Sequence, residues 1–442
     1  MEISNVIFAL CLAIASFFFG RNVIKVRKNI MLGRDIDRSD KPRDRWMTML
    51  RVAFGQSKMV VRPVAGFLHI LVYVGFVIIN IEVLEIVVDG LIGTHRVFAF
   101  MGAFYNFLIG SFEILAFLVL LACVLFMIRR NVLQIKRFLM QEMKGWSKLD
   151  ANLILIFEVV LMSAFLLMQG ADLALQGLGA DHYVKAGSFP VSSFLLPLFD
   201  GMSIEAIVIV ERACWWFHIL GILVFLNYLP YSKHFHIVLA FPNTYYSNLE
   251  PKGSFTNMAS VKNEVQMMMD PNADPYAAPA EADDDCEDLG RFGAKDVNDL
   301  NWVQLMNAYS CTECGRCTSE CPANQTGKLL SPRKIMMDTR DRLEEFGAHV
   351  IANGKNVDDG KSLLDDYVTR EELWACTSCN ACTQACPINI DPLSIILDMR
   401  RYLVMEESAA PKELNMMFTN VENNGAPWQF PAVDRLNWKD EA

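Results

Sequence analysis

"PVAGFLHILVYVGFVIINIEVLEIVV", Pro63–Val88, is an apolar run whose first acid is Glu82. A bilayer core needs about 20 such residues, so this run is long enough to cross one as a helix. Four further runs of the same kind flank it: Ile3–Gly20, Tyr105–Ile128, Leu153–Gly170 and Ile204–Leu229. Met1-Glu2-Ile3-Ser4-Asn5 has no basic n-region, and no small-x-small cleavage site follows, so the first run is read as a retained helix rather than a signal peptide. Twelve Lys/Arg fall between Arg21 and Arg62 and six between Arg129 and Lys148, against one each, Arg96 and Lys185, in the opposite loops. Basic residues stay on the cytoplasmic side. Five crossings therefore predict a multi-pass protein of the cytoplasmic (inner) membrane, with the N-terminus outside and the C-terminal part in the cytoplasm.

The whole chain of 442 residues is 53% hydrophobic and 20% charged, with a net charge of −10. The apolar excess sits in residues 1–242, while the remainder has the composition of an ordinary acidic soluble segment. That asymmetry excludes one large soluble domain. The charge offers no basic surface for nucleic acid. From Pro242 the character changes, and "DPNADPYAAPAEADDDCEDL", residues 270–289, has no helical or strand periodicity. Such a stretch buries too little apolar surface to order itself and is expected to be a tether. Its Cys286 stands among acids, which raises a thiol pKa, and is not expected to be a ligand.

Two short runs in the acidic half carry the chemistry. "CTECGRCTSECP" holds Cys311, Cys314, Cys317 and Cys321; "CTSCNACTQACP" holds Cys376, Cys379, Cys382 and Cys386. Both are C-x2-C-x2-C-x3-C-P, the signature of paired [4Fe–4S] clusters in which the fourth cysteine of each run serves the other cluster. One cluster is thus expected on Cys311, Cys314, Cys317 and Cys386, and the other on Cys376, Cys379, Cys382 and Cys321. Zinc sites use two pairs of ligands rather than repeated four-cysteine runs. A reducing compartment also favours metal ligation over disulfides. Cys11, Cys123 and Cys214 lie in apolar helices, where a thiol acts as a small hydrophobe. "SPRKIMMDTRDRLEE", Ser331–Glu345, opens with Ser-Pro and continues in helix formers, and "DPLSIILDMRRYLVMEE", Asp391–Glu407, reads the same way.

In the membrane half, Glu82, Glu85 and Glu211 are read as solvated at the outer interface. Glu113 and Glu158 stand between that reading and a proton or substrate path. Four histidines fall where a membrane haem would use them: His69 on the second helix, His95 before the third, and His218 and His236 on or near the fifth. A neutral imidazole is a strong axial ligand of haem iron, and two of them make an electron-transfer centre. His69 and His236 lie at the inner ends of antiparallel helices, so they can meet at one depth; His234 is an alternative to His236. Lys233 and Arg62, at the same end, are read either as haem-propionate partners or as interface anchors.

"WWFHILGILVFLNYLPYSKHFH", Trp215–His236, resembles helix 5 of the gamma subunit of respiratory nitrate reductases, and "GFLHILVYVGF", Gly66–Phe76, resembles its helix 2. The resemblance implies haem b, with His69 and His236 on the inner haem and His218 on a second, outer one. That family's remaining histidine falls at Ile79, which cannot bind iron, and His95 is the substitute expected. The cysteine half resembles the helical ferredoxin domains of succinate dehydrogenase iron–sulfur subunits and of the small subunit of heterodisulfide reductases. Its tail, "ENNGAPWQFPAVDRLNW" at Glu422–Trp438, is similar to one in heterodisulfide-reductase-like fusion subunits.

The expected fold is mainly α: a five-helix transmembrane bundle (1–242), an acidic linker (243–295), an α-helical ferredoxin domain (296–408) and an extended docking tail (409–442). The resemblance implies a redox subunit that works with membrane lipid and the quinone pool as part of a multi-subunit complex. In it, electrons pass through haem b and the clusters to or from a cytoplasmic heterodisulfide-reductase-like or flavoprotein partner. No Cys-Cys-Gly pair or dinucleotide fingerprint occurs in the chain, so the site for the soluble substrate is expected on another polypeptide. The competing expectation is a non-haem membrane anchor that tethers an iron–sulfur carrier.

Overall fold

The computed structural model describes residues 3–270, 291–354 and 357–440, and its named elements are helices throughout. Residues 271–290, with Cys286 and nearly all of the expected tether, lie outside the described residues. Five helices are long and apolar enough to span a membrane: α1 Ile3–Ile30, α2 Pro63–Ile92, α3 Ala103–Asn131, α4 Trp146–Leu178 and α5, which starts at Ile204 and runs to Tyr228. Local chemistry sets their ends. Pro63 opens α2 in a first turn that needs no N–H, and Gly93 closes it at φ 78°, which a side chain would resist. Gly179 ends α4 in the same way.

A short helix at the end of the bundle, α6 His236–Tyr245, leads out of it. The cysteine half is also helical. Its main helices are α7 Trp302–Ser310, α8 Arg316–Glu320, α9 Pro332–Asn353, α10 Ala381–Ala385, α11 Pro392–Met405 and α12 Lys412–Asn424. Ser331 caps α9 by accepting from the Lys334 N–H, and Asp391 caps α11 by accepting from Leu393 and Ser394. Against expectation, the tail is not extended over its whole length. Pro411 and Gly425 bracket a helix, α12, whose Met416, Phe418 and Val421 are exposed.

The bundle and the cysteine half share one hydrophobic core. Val26, Ile30, Phe225, Leu229 and Leu239 pack in the same cluster as Leu305, Ile335 and Leu343. Each such fully buried side chain contributes roughly 1.5–3 kcal/mol relative to exposure. Backbone pairing reinforces the junction: the Arg34 N–H donates to Leu300 O at 2.8 Å and the Trp302 N–H to Arg34 O at 3.1 Å. Asn29 Nδ2 donates to the Tyr309 hydroxyl at 2.9 Å.

The opposite end of the bundle corrects the reading of its acids. Glu82, Glu85, Glu113 and Glu211 are buried, not solvated. The loop after α2 folds back into the bundle and inserts Arg96, whose Nε donates to Asp172 Oδ2 at 2.7 Å and whose Nη1 donates to the Tyr105 hydroxyl at 3.1 Å. Tyr105 donates in turn to Glu85 at 2.8 Å, and Gln169 links Arg96 to Glu82. Glu113 accepts from the Val191 and Ser192 N–H groups at 2.9 and 3.1 Å. Glu211 pairs with Arg212 and accepts from Tyr183 at 2.9 Å. Glu158, half-buried on α4, lies near Cys123. Removing one partner of a buried pair strands the other charge, so Arg96→Leu should cost about 3–5 kcal/mol. Unfolding in detergent checks this: a loss below about 1 kcal/mol, or no recovery in Arg96→Leu with Asp172→Asn, would refute the pairing.

Candidate functional site

The two cysteine runs follow the same backbone path. Glu313 and Ser378 take φ values of 54° and 55°, and Gly315 and Asn380 take 70° and 59°. These left-handed residues turn the chain so that the three leading cysteines of each run wrap around one point before α8 or α10 begins. Gly315 is required, because a Cβ there would run into the Arg333 guanidinium. The helices α8 and α10 pack on each other, and this brings the fourth cysteine of each run across to the other. One cavity is lined by Cys311, Cys314, Cys317 and Cys386, together with Gly315 and Pro387. Cys376 lies within electrostatic reach of Cys321 and Cys379, and Cys382 within reach of Cys376.

Burial pushes the Cys311 and Cys382 thiols up to about 12 and Cys386 up to about 11. They are neutral as free thiols, and ligation must expel their protons. Backbone N–H groups already aim at sulfur: Ser378 N donates to Cys376 Sγ at 3.4 Å and Ile390 N to Cys386 Sγ at 3.3 Å. Such bonds tune a cluster's potential. Arg400 donates to the Leu373 and Cys376 carbonyls and lies over Trp374. In the second group Cys379 is exposed, whereas Cys311, Cys321, Cys382 and Cys386 are buried.

At the end of the bundle facing this domain, His69, His234 and His236 lie within electrostatic reach of one another. The His234 and His236 rings are 5.5 Å apart. Burial, then the neighbouring His236 and His69, push His234 down to about 3; burial also lowers His236. Both are therefore neutral, the form that binds iron. His236 Nδ1 lies 3.1 Å from Lys233 O. A carbonyl only accepts, so Nδ1 carries the proton and Nε2 keeps its lone pair for a metal, the arrangement common behind metal-bound imidazoles. His69 Nδ1 is buried without a partner, an orphaned atom that fits a site built for a bound group.

His218 is arranged like His236, with Nδ1 at 3.0 Å from Leu161 O. Its expected partner is not there. His95 Nε2 pairs with Asp172 at 3.5 Å, and its ring meets the Tyr183 ring edge-on, with centroids 5.0 Å apart. Leu161 and Asp172 are eleven residues apart on α4, about 16 Å along the axis. The structure thus does not bring His95 to His218, because the Arg96 loop carries His95 into the acidic cluster. The expectation that His95 completes an outer haem is corrected accordingly.

Lys233 and Arg62 also have partners that the residue pattern alone does not reveal. Lys233 Nζ donates to Ser147 O at 2.7 Å and pairs with Glu313. Arg62 Nη2 donates to Ser319 at 2.6 Å and to Glu320 at 2.8 Å. Arg316 donates to the Lys58 and Met59 carbonyls at 2.9 and 3.1 Å, ahead of the helix that carries His69. Burial alone would raise the Glu313 carboxyl, but the Lys233 and Arg340 charges hold it down to about 2. Glu313, Arg316, Ser319 and Glu320 are residues of the first run that touch the bundle. The matching positions of the second run are Ser378, Ala381, Gln384 and Ala385. That difference between two otherwise matching repeats was the available signal for which run docks on the membrane half.

The family model described as a 4Fe-4S dicluster domain matches residues 310–390. The chain is 29% identical over 418 residues to the probable iron-sulfur-binding oxidoreductase FadF of Bacillus subtilis, covering 88% of this chain and 54% of that protein. It is 27% identical over 435 residues to the EtfAB:quinone oxidoreductase of Syntrophomonas wolfei, covering 92% and 55%. To one subunit of the ferredoxin/F(420)H(2)-dependent CoB-CoM heterodisulfide reductase of Methanosarcina acetivorans it is 33% identical over 108 residues, covering 24% of this chain and 53% of that subunit. The chain spans about half the length of the curated relatives it matches. No solved structure matches it. The iron–sulfur domain is related to those of heterodisulfide reductase subunits and FadF-like oxidoreductases, and the similarity supports an electron-transfer role.

Proposed function

We propose that this chain is the electron-transfer subunit of a quinone-linked oxidoreductase complex in the membrane. It connects the quinone pool, haem b and two [4Fe–4S] clusters to a redox partner on the side of the cysteine half. In this reading Cys311, Cys314, Cys317 and Cys386 hold one cluster, and Cys376, Cys379, Cys382 and Cys321 the other. His69 and His236 hold a haem b at the docked end of the bundle, and His218 keeps a free Nε2 for a second. A haem between two imidazoles supplies one-electron chemistry and no group transfer. The chain's residues do the rest: they exclude water, keep the imidazoles neutral and fix the spacing between centres.

One observation carries the reading. Arg316, beside Cys317, bonds the backbone just ahead of the His69 helix, so the histidine site and the first cysteine cavity are neighbours. Exposure of Cys379 supports an exit to the partner from the second cluster. The name of the S. wolfei relative supports the quinone, and the excess of Lys/Arg in the loops on the docked side supports a cytoplasmic location for the cysteine half. The test is a reduced-minus-oxidised spectrum of the purified protein. A b-type band is expected. Its absence, with the iron–sulfur content intact, would leave an iron–sulfur carrier on a non-haem anchor.

A further inference from the structure

One residue of the junction touches both kinds of site. The Lys233 carbonyl stands 3.1 Å from His236 Nδ1, while its Nζ pairs with Glu313, in the turn between Cys311 and Cys314. The backbone around it is pinned as well. Asp150 accepts from the Lys233 N–H at 3.2 Å and from the Ser232 hydroxyl at 2.6 Å. Glu313 is gripped from its other side by Arg340 at 2.9 Å. Lys233, Asp150 and Glu313 are all buried.

A buried ion pair adds little net stability over well-packed apolar residues, and its best-attested use is to fix one register among several. Here the two partners belong to different halves of the chain. We infer that Lys233 is a positioning residue shared by two centres, holding the His236 imidazole through its carbonyl and the Cys311–Cys317 turn through its ammonium in one fixed geometry. The inference rests on the proposed haem ligation by His236 and adds what sets the relation between that site and the first cysteine cavity. Arg340 touches only the cysteine side of this chain of contacts, which makes it the natural control.

The test is a redox titration of the full-length protein in detergent, following the b-type band optically and the cluster signal by electron paramagnetic resonance. The wild-type spectrum is recorded first, so that absence of haem is distinguished from failure of the Lys233 inference. Loss of a buried positive charge disfavours the reduced state. Lys233→Met should therefore lower both potentials, each by about tenfold in redox equilibrium, about 59 mV for one electron. Arg340→Met should lower the cluster potential alone, and Lys233→Arg should restore both. A loaded Lys233→Met protein whose b-type potential does not move overturns the inference. If that variant does not load its cofactors, the near-isosteric Glu313→Gln decides: both potentials should rise, and a cluster that moves alone overturns the inference.

Discussion

Cys386→Ser should remove the cluster that Cys311, Cys314 and Cys317 complete, and Cys321→Ser the one completed by Cys376, Cys379 and Cys382. Each replaced cysteine belongs by sequence to the other run, so the pair of variants separates chain order from spatial order. Non-haem iron should fall from about eight to about four atoms per chain in each case, since each run's leading cysteines serve one four-iron cluster. The signal that disappears should differ between the two. The structural reason is the packing of α8 on α10, which puts Cys386 in one cavity with the first three cysteines. Both replaced cysteines are buried. Quantified iron with electron paramagnetic resonance of the reduced protein reads the result. Loss of the second run's signal in Cys386→Ser would refute the crossed arrangement.

His69→Ala should abolish one b-type band while non-haem iron stays at about eight atoms per chain. Of the three histidines grouped here, His69 alone comes from α2, so its loss leaves ligands from one side of the site. His236→Ala should do the same, and His234→Ala should keep the band. The discriminating feature is the Lys233 carbonyl, which orients His236 and frees its Nε2. His234 instead packs its ring 5.3 Å from Phe225. Full haem in His69→Ala, or loss of haem in His234→Ala with retention in His236→Ala, would overturn this assignment.

Much of this architecture is legible in the order of residues. Helix formation by long apolar runs depends on local composition, so the spanning helices of the bundle follow from the chain alone. The cysteine runs are legible for a similar reason: three ligands two residues apart are a local pattern. The crossing of the fourth cysteine is expected from the motif, and the packing of α8 on α10 supplies a physical cause for it. What misleads is depth. Glu82, Glu85 and Glu211 sit near helix ends, where solvation is the default. Only a loop returning into the bundle with Arg96 gives Glu82 and Glu85 buried partners, and loop paths leave no periodicity to read. The same loop takes His95 away from His218.

A mainly α protein with five apolar helices, a cysteine-rich helical half and two matching sets of metal-binding thiols follows from the chain, because each of these is set by residues close together in it. How the two halves meet does not. Lys233 reads as an anchor at a lipid surface and is instead buried against Glu313; Arg62 is turned toward Glu320. Those pairings exist only in the folded molecule. They join positions eighty or more residues apart, and a charge is drawn to whichever buried counter-charge the packing presents.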